Sequence, residues 1–242
     1  MPNTVIVSAF FKIPSKQPYA AYLPHLNRFF RSLRCPTIFF TSQDVFHDIQ
    51  SFGHDLSFVQ FVMMEVDDFK AWNRGREFWN RQKERDPESY HTPELAAIWY
   101  EKKEFVLRAM KLSDADEFIW CDAGCVRNDE SERAFIYFGC RGIPLNDNTL
   151  HIQHIRIQSY RPFYVYPEYR FAAAIIAGNR TAWNQYSTLY DSVLTDYDTR
   201  GISGNSDQYI MASCYDRHSS WFTTHTPTCT HIDHWFFMLE IL

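Results

Sequence analysis

The sequence predicts an α/β fold with a mostly parallel central sheet and helices on both faces, and three observations carry that expectation. Short β-branched and aromatic runs alternate with helical apolar spacing in the N-terminal part of the chain. A long, well-capped helix is written in the middle. That helix leads into an apolar strand run which ends in an acidic residue and a glycine.

Taken in order, Thr4–Phe10 (TVIVSAF) has the composition of a buried strand. Residues 19–33 carry Tyr22, Leu26, Phe29, Phe30 and Leu33 at helical spacing and stop before Cys35-Pro36. Thr37–Thr41 (TIFFT) is a second strand, 45–52 a helix and 56–62 a third strand, which gives a βαβαβ opening. Ligands of such sheets lie at the carboxyl ends of the strands, so Ala9, Phe10, Phe11 and Thr41 fall at the predicted site. Residues 67–90, rich in Arg, Glu, Asn and Trp, are expected to form a polar helical insertion or lid.

The central helix starts with Thr92 as N-cap, Pro93 at the first helical position and Glu94 in the first turn, where the helix dipole favours an acid. Its apolar stripe runs Leu95, Ile98, Trp99, Phe105, Val106, Ala109 and Met110, with Lys102 in the middle. A lysine on a core face either pairs with a structural carboxylate, lays its stem along the core with the charge at the surface, or points its ammonium at an anion in a cleft. The next strand, 117–122, ends at Asp122, followed by Ala123, Gly124 and Arg127. Asp114-Ala115-Asp116 has an Asp-x-Asp spelling but precedes the strand, at the wrong end of the sheet, and is assigned to a solvated turn.

Several function classes are disfavoured by composition. A formal net charge of -5 argues against a nucleic-acid binder, which gathers Lys and Arg on one face. No apolar run approaches the ~20 residues that cross a bilayer, and the N-terminal segment has no charged region followed by a long apolar one, so a cytoplasmic location is expected. Six scattered cysteines without a CxxC pair are expected to be free thiols. With no linker, repeat or low-complexity tract, one domain over 1–242 is expected.

An acidic residue at a strand end is where nucleotide-sugar transferases hold a divalent metal and the donor's hydroxyls, commonly with an Asp-x-Asp pair; here the second position is Gly124. The block His91-Thr92-Pro93-Glu94-Leu95, Ile98-Trp99, Glu101-Lys102, Phe105-Val106, Trp120-Cys121-Asp122-Ala123-Gly124 and Arg127 resembles the HtrL family of bacterial and viral glycosyltransferase-like proteins. Val7 to Phe11, Phe39-Phe40-Thr41 and Trp235-Phe236-Phe237 are similar as well. The resemblance implies a GT-A-like domain, a nucleotide-sugar donor and a glycan or other hydroxyl acceptor.

Within that expectation Asp122, Lys102, Ala123, Gly124 and Arg127 sit near the diphosphate, and Ala9, Phe10, Phe11 and Thr41 near the base. The run 170–179 brings small residues, Ala174 among them, where a main chain passes a donor sugar, and a plain buried strand is the competing assignment. Asp207 and Gln208 open a helix after a glycine loop. Asp207 is the candidate general base of an inverting enzyme; with retention, both steady the sugar. The C-terminal cluster of His225, Cys229, His231, Asp233 and His234 lacks paired zinc spacing, but His231 or His234 is a candidate to complete a Mn2+ or Mg2+ shell with Asp122. The alternatives are a non-catalytic nucleotide-sugar or glycan binder and, behind it, a zinc-dependent hydrolase. A nucleotidyltransferase is disfavoured, because no glycine-rich basic loop follows the first strand.

Overall fold

In the computed structural model, residues 3–139, 145, 147–155, 170–227 and 232–242 are described. Strands β1 (Thr4–Phe10), β2 (Thr37–Thr41), β3 (Val59–Met63), β4 (Glu117–Cys121), β5 (Leu150–His154), β6 (Phe171–Asn179) and β7 (Phe222–His225) form one sheet in the order β3-β2-β1-β4-β6-β5-β7. Parallel pairing links β3, β2, β1 and β4, and also β5 with β7, while β6 runs antiparallel to both of its neighbours. The sheet is therefore mixed but mostly parallel, as expected. The reversed strand is the run of small residues at 171–179, which resolves as a buried strand.

Alternation along the strands divides the core into two faces. Val5, Val7, Phe118 and Trp120 point to one face, and Ile6, Ile119 and Cys121 to the other. The second face is covered by α1 (Tyr19–Ser32), α2 (Gln43–Ser51), α5 (Asp129–Phe135) and the C-terminal α8 (Met238–Ile241). The first face carries α3 (Arg76–Glu84), α4 (Pro93–Leu112), α6 (Arg180–Thr199) and α7 (Asp207–Arg217).

Helix α4 starts as its sequence dictates: Thr92 Oγ1 accepts from the Leu95 amide at 3.1 Å, and Pro93 follows. Its middle is buried on every side, so Glu101, Lys103 and Glu104 are as enclosed as Lys102. Each meets a partner, as enclosed charges must. Glu101 accepts from the Lys70 and Ala71 amides, both at 3.0 Å, Glu104 from Lys70 Nζ at 2.8 Å, and Lys103 lies 3.4 Å from Asp191 Oδ2. Burial pushes the Glu101 carboxyl above its ordinary range, against the pull of those amides and of Arg108.

Val66–Asp68 and Lys70–Arg74 form two 3-10 turns ahead of α3, so the segment expected to be a polar insertion or lid is helical. Its apolar and amide groups are anchored on the body of the fold. Phe78, Trp79 and Gln82 are buried, Trp79 Nε1 donates to the Ala71 carbonyl at 2.9 Å, and Gln82 Oε1 accepts from the Gly204 amide at 2.7 Å.

The described cysteines Cys35, Cys121, Cys125 and Cys214 are free and buried. Asp114 and Asp116 are exposed at the amino end of β4, as expected of a solvated turn. Among the described residues no helix is long and apolar enough to cross a membrane.

Candidate active site

The chain leaves β1 toward β2 on one side, and β4 joins β1 on the other, so a crevice opens where the carboxyl ends of β1 and β4 diverge. A cleft of about 450 Å³ lies there, large enough for a small-molecule ligand. Its lining includes Ala9, Phe10 and Phe11 after β1, Asp122, Ala123, Gly124 and Arg127 after β4, Lys102 from α4, Ala173 and Ala174 from β6, and Asp207 and Gln208 from α7. Residues far apart in the sequence thus meet at one place.

Lys102 is the centre of that meeting. Its Nζ lies 3.0 Å from Asp122 Oδ1, 2.8 Å from Asp207 Oδ2 and 3.0 Å from the carbonyl oxygen of Ala173. The ammonium donates to the Ala173 carbonyl and, at 3.4 Å, to Asp122 Oδ2, while its close approach to Asp207 Oδ2 is an ion pair without hydrogen-bond alignment. Of the three arrangements open to a lysine on a core face, pairing with carboxylates is the one realised, inside the cleft. Burial alone would favour the neutral amine, but Asp122 and then Asp207 outweigh it and push the Lys102 pKa up to about 12. For Asp207, burial pushes the carboxyl above its ordinary value, Lys102 pulls it back, and Asp122 adds to the rise.

Asp122 is positioned from two sides. Its amide donates to the Ala174 carbonyl at 2.8 Å, which extends the β4–β6 ladder past the strand end. Trp120, two residues back on the α4 side of the sheet, donates its indole Nε1 to Asp122 Oδ1 at 2.8 Å. The Trp120 ring is fixed in turn by stacking on Phe105, with centroids 5.8 Å apart. The Asp122 side chain is about one-third exposed, at 35%, so its carboxylate faces the cleft.

Asp207 and Gln208 start α7 as expected. The loop before them is fastened by the 67–90 segment. Ser203 Oγ donates to the Gln82 carbonyl at 3.0 Å, the Gly204 amide donates to Gln82 Oε1, and Asn205 Nδ2 donates to Asp86 Oδ2 at 2.6 Å. An added Cβ at Gly204 would stand 2.4 Å from Leu194 Cδ1, so a side chain there requires the buried Leu194 to shift. Gln208 donates its Nε2 to the Phe171 carbonyl at 2.7 Å.

Arg127 lies at the rim, largely exposed, over the ring of Phe236 at 4.6 Å and 3.6 Å from Asp233 Oδ2. At the other end aromatic rings dominate: Phe10, Tyr19, Tyr22, Tyr90 and Trp99 line the wall, with Phe10 5.9 Å from both Tyr19 and Tyr22. Lys16 Nζ sits 5.2 Å over Tyr90. Of this wall the sequence places Phe10 at the site and leaves Tyr19, Tyr22, Tyr90 and Trp99 unassigned to it.

Not every expected residue reaches the cleft. Thr41 is fully buried and donates Oγ1 to the Phe10 carbonyl at 2.8 Å, so it braces the end of β1 instead of touching a ligand. His225 is on β7, stacked on His151 with a 3.0 Å nitrogen–nitrogen contact, outside the cleft lining. Cys229 and His231 lie outside the described residues, as does the side chain of His234. Among the described residues no group of three His, Cys, Asp or Glu side chains is disposed to hold a metal ion. The two cleft carboxylates are already held by Lys102, so the described donors do not fit a metal at Asp122. Gly124 leaves the place of a second carboxylate open, and an added Cβ there would meet nothing within 4 Å.

No protein-family model and no curated protein matches the chain. Among solved structures, the chain is similar to mouse xyloside xylosyltransferase 1 in its apo form, at TM-score 0.53 and 14% identity over 91% of this chain and 84% of that one. It also aligns with a glycosyltransferase involved in glycosylation of the major capsid of PBCV-1, at TM-score 0.47, 12% identity, 93% of this chain and 82% of that one. A third alignment is with CMP:2-keto-3-deoxy-manno-octonic acid synthetase complexed with CTP, at TM-score 0.49, 14% identity, 93% and 89%. The last two similarities are too weak to add to the first. At 14% identity the first shows a shared fold, GT-A-like, and no more.

Proposed function

We propose that the chain is a glycosyltransferase that moves a sugar from a nucleotide-diphosphate sugar to a hydroxyl acceptor, a glycan among them. The observation that carries this reading is the convergence of Asp122 and Asp207 on Lys102, in a cleft at the switch point of the sheet whose far wall is aromatic. Flat rings suit a base or a sugar face. Asp122 accepts hydrogen bonds from donor hydroxyls through its exposed side.

As the bond between the anomeric carbon and the diphosphate breaks, negative charge collects on the departing oxygens. Arg127 and Lys16 are the cleft cations outside the buried cluster among the described residues, and Arg127, next to the Asp122–Gly124 turn, meets that charge. Lys102, paired with both carboxylates, acts by holding them in place. The acceptor oxygen bonds to the anomeric carbon and gives up its proton. With inversion Asp207 takes it; with retention Asp207 and Gln208 stabilise the positive charge on the sugar, and the anomeric configuration of the product distinguishes the two.

The test is a nucleotide-sugar hydrolysis panel with Mn2+, with Mg2+ and with chelator. Turnover of at least one donor is expected, abolished by Asp122→Ala with the melting temperature nearly unchanged. Full activity in that variant, or no donor binding at all, sinks the reading. A second reading, a non-catalytic nucleotide-sugar binder, is favoured by the unfilled place at Gly124; donor binding without turnover would select it.

A further inference from the structure

The disagreement between the donors in this cleft and a divalent metal has a location. Such a cation needs several oxygen ligands, carboxylates above all, that are not already neutralised. Asp122 and Asp207 are the two cleft carboxylates among the described residues, and the point that both address is filled by Lys102 Nζ, at 3.0 and 2.8 Å. The ammonium also donates to the Ala173 carbonyl, and Trp120 Nε1 donates to Asp122 Oδ1. The lysine stem descends from the buried middle of α4, and its ammonium borders the cleft with its side chain 10% exposed. Gly124 fits the same picture: a second carboxylate there has open space, yet none is present.

We infer that Lys102 is a built-in counter-ion standing where a divalent cation would bind between Asp122 and Asp207. The cleft then works without metal at these carboxylates, and removal of the ammonium turns the pair into a site for Mn2+ or Mg2+. The inference depends on the glycosyltransferase reading only for what the cleft holds, since the metal position follows from the three side chains alone. The cation is a hard one with oxygen ligands, because the pair offers carboxylates and a main-chain carbonyl and no sulfur or nitrogen donor.

The experiment uses MnCl2 alone, titrated into the full chain at neutral pH and followed by the electron paramagnetic resonance signal of free Mn2+. Wild type is expected to leave the signal unchanged. Lys102→Met is expected to bind one Mn2+ per chain at least about tenfold more tightly than wild type, a difference of about 1.4 kcal/mol. Lys102→Met combined with Asp207→Asn is expected to lose that gain. Near-ultraviolet circular dichroism confirms that the variants are folded, and Lys102→Gln serves if Lys102→Met is not. Stoichiometric Mn2+ binding by wild type that Asp122→Asn abolishes would overturn the inference, as would a folded Lys102→Met or Lys102→Gln protein that gains no affinity. Since neither arm contains a nucleotide sugar, failure of the proposed function appears only in the donor panel.

Discussion

Lys102 Nζ, midway along α4, lies 2.8 Å from Oδ2 of Asp207, the first residue of α7. The contact ties a buried helix to a loop that the chain reaches much later, and Lys102 is held at three points while doing so. Removing its charge leaves the buried Asp207 carboxyl without its cation and facing Asp122 across the cleft wall. Lys102→Met should therefore destabilise the fold by about 3–5 kcal/mol, the cost typical of breaking a buried ion pair from one side. The pH dependence follows from the raised pKa of about 12 against an ordinary 10.5. The stabilisation is complete below 10.5 and is lost as pH rises through about 12. Chemical denaturation of both proteins across that range should show the gap between them constant at neutral pH and closing in strong alkali; a gap that widens there refutes the assignment.

Asp207 titrates in the opposite sense. Burial and Asp122 hold its carboxyl above 3.8 despite Lys102, so within the fold the proton stays on to a higher pH than in the unfolded chain. Ionising Asp207 therefore costs stability, which declines as pH rises through the folded value. Both proposed roles need the carboxylate, so kcat/KM should fall on the acid side with an apparent pKa above the ordinary carboxylate range. Asp207→Asn should reduce turnover by at least about 100-fold, the scale of a lost acid–base group. An acid limb at or below 3.8 in wild type would remove Asp207 from the reaction.

Much of this site is legible in the sequence, and the part that is not has a physical reason. The strand that delivers Asp122, the Thr92 cap that sets the phase of α4, and the helix start at Asp207 are local signals, written within a few residues. Periodicity also singles out Lys102 as a charge on an apolar stripe, but not what its ammonium meets. A phosphate and a pair of carboxylates are equal answers to one buried charge, and only the tertiary fold chooses between them. The same limit hides Glu101, Lys103 and Glu104, whose burial follows from partners on the 66–74 turns and α6 rather than from spacing. Strand β5 is short and carries buried His151 and Gln153 where a strand pattern expects apolar residues, and β7 is a four-residue run with a single large apolar side chain. The direction of β6 is invisible in its composition, since small apolar residues suit either sense.

The 67–90 segment holds the loop that presents Asp207. Gln82 is fully buried, accepts from the Gly204 amide and donates to Asp198 Oδ1 at 2.9 Å. Gln82→Ala leaves the Gly204 N–H without that acceptor and should cost about 1–3 kcal/mol, the range for an orphaned buried group. If the loop positions Asp207 through this bond, kcat should fall by about tenfold or more while donor affinity changes little, because misplacing a reacting group slows the reaction more than it weakens binding. A variant that melts earlier yet keeps wild-type kcat would confine Gln82 to stability.

Arg127 separates a leaving-group cation from a surface one. Its side chain is about half exposed, at 53%, and its protein partners are weak: a 3.3 Å Nε donation to the Gly124 carbonyl, a 3.6 Å approach to Asp233 and the face of Phe236 at 4.6 Å. An exposed ion pair of that kind contributes little to stability, so Arg127→Ala should leave the melting temperature nearly unchanged. Its fork can grip two phosphate oxygens at once, which a lysine cannot do. Arg127→Ala is thus expected to weaken nucleoside-diphosphate binding by about tenfold or more, with Arg127→Lys restoring only part of the loss. Because the rim is solvated, the difference between wild type and Arg127→Ala should shrink as salt is raised, which isothermal titration at two ionic strengths can measure. Equal affinity of the two proteins at low salt would take Arg127 away from the diphosphate and leave Lys16 to meet that charge.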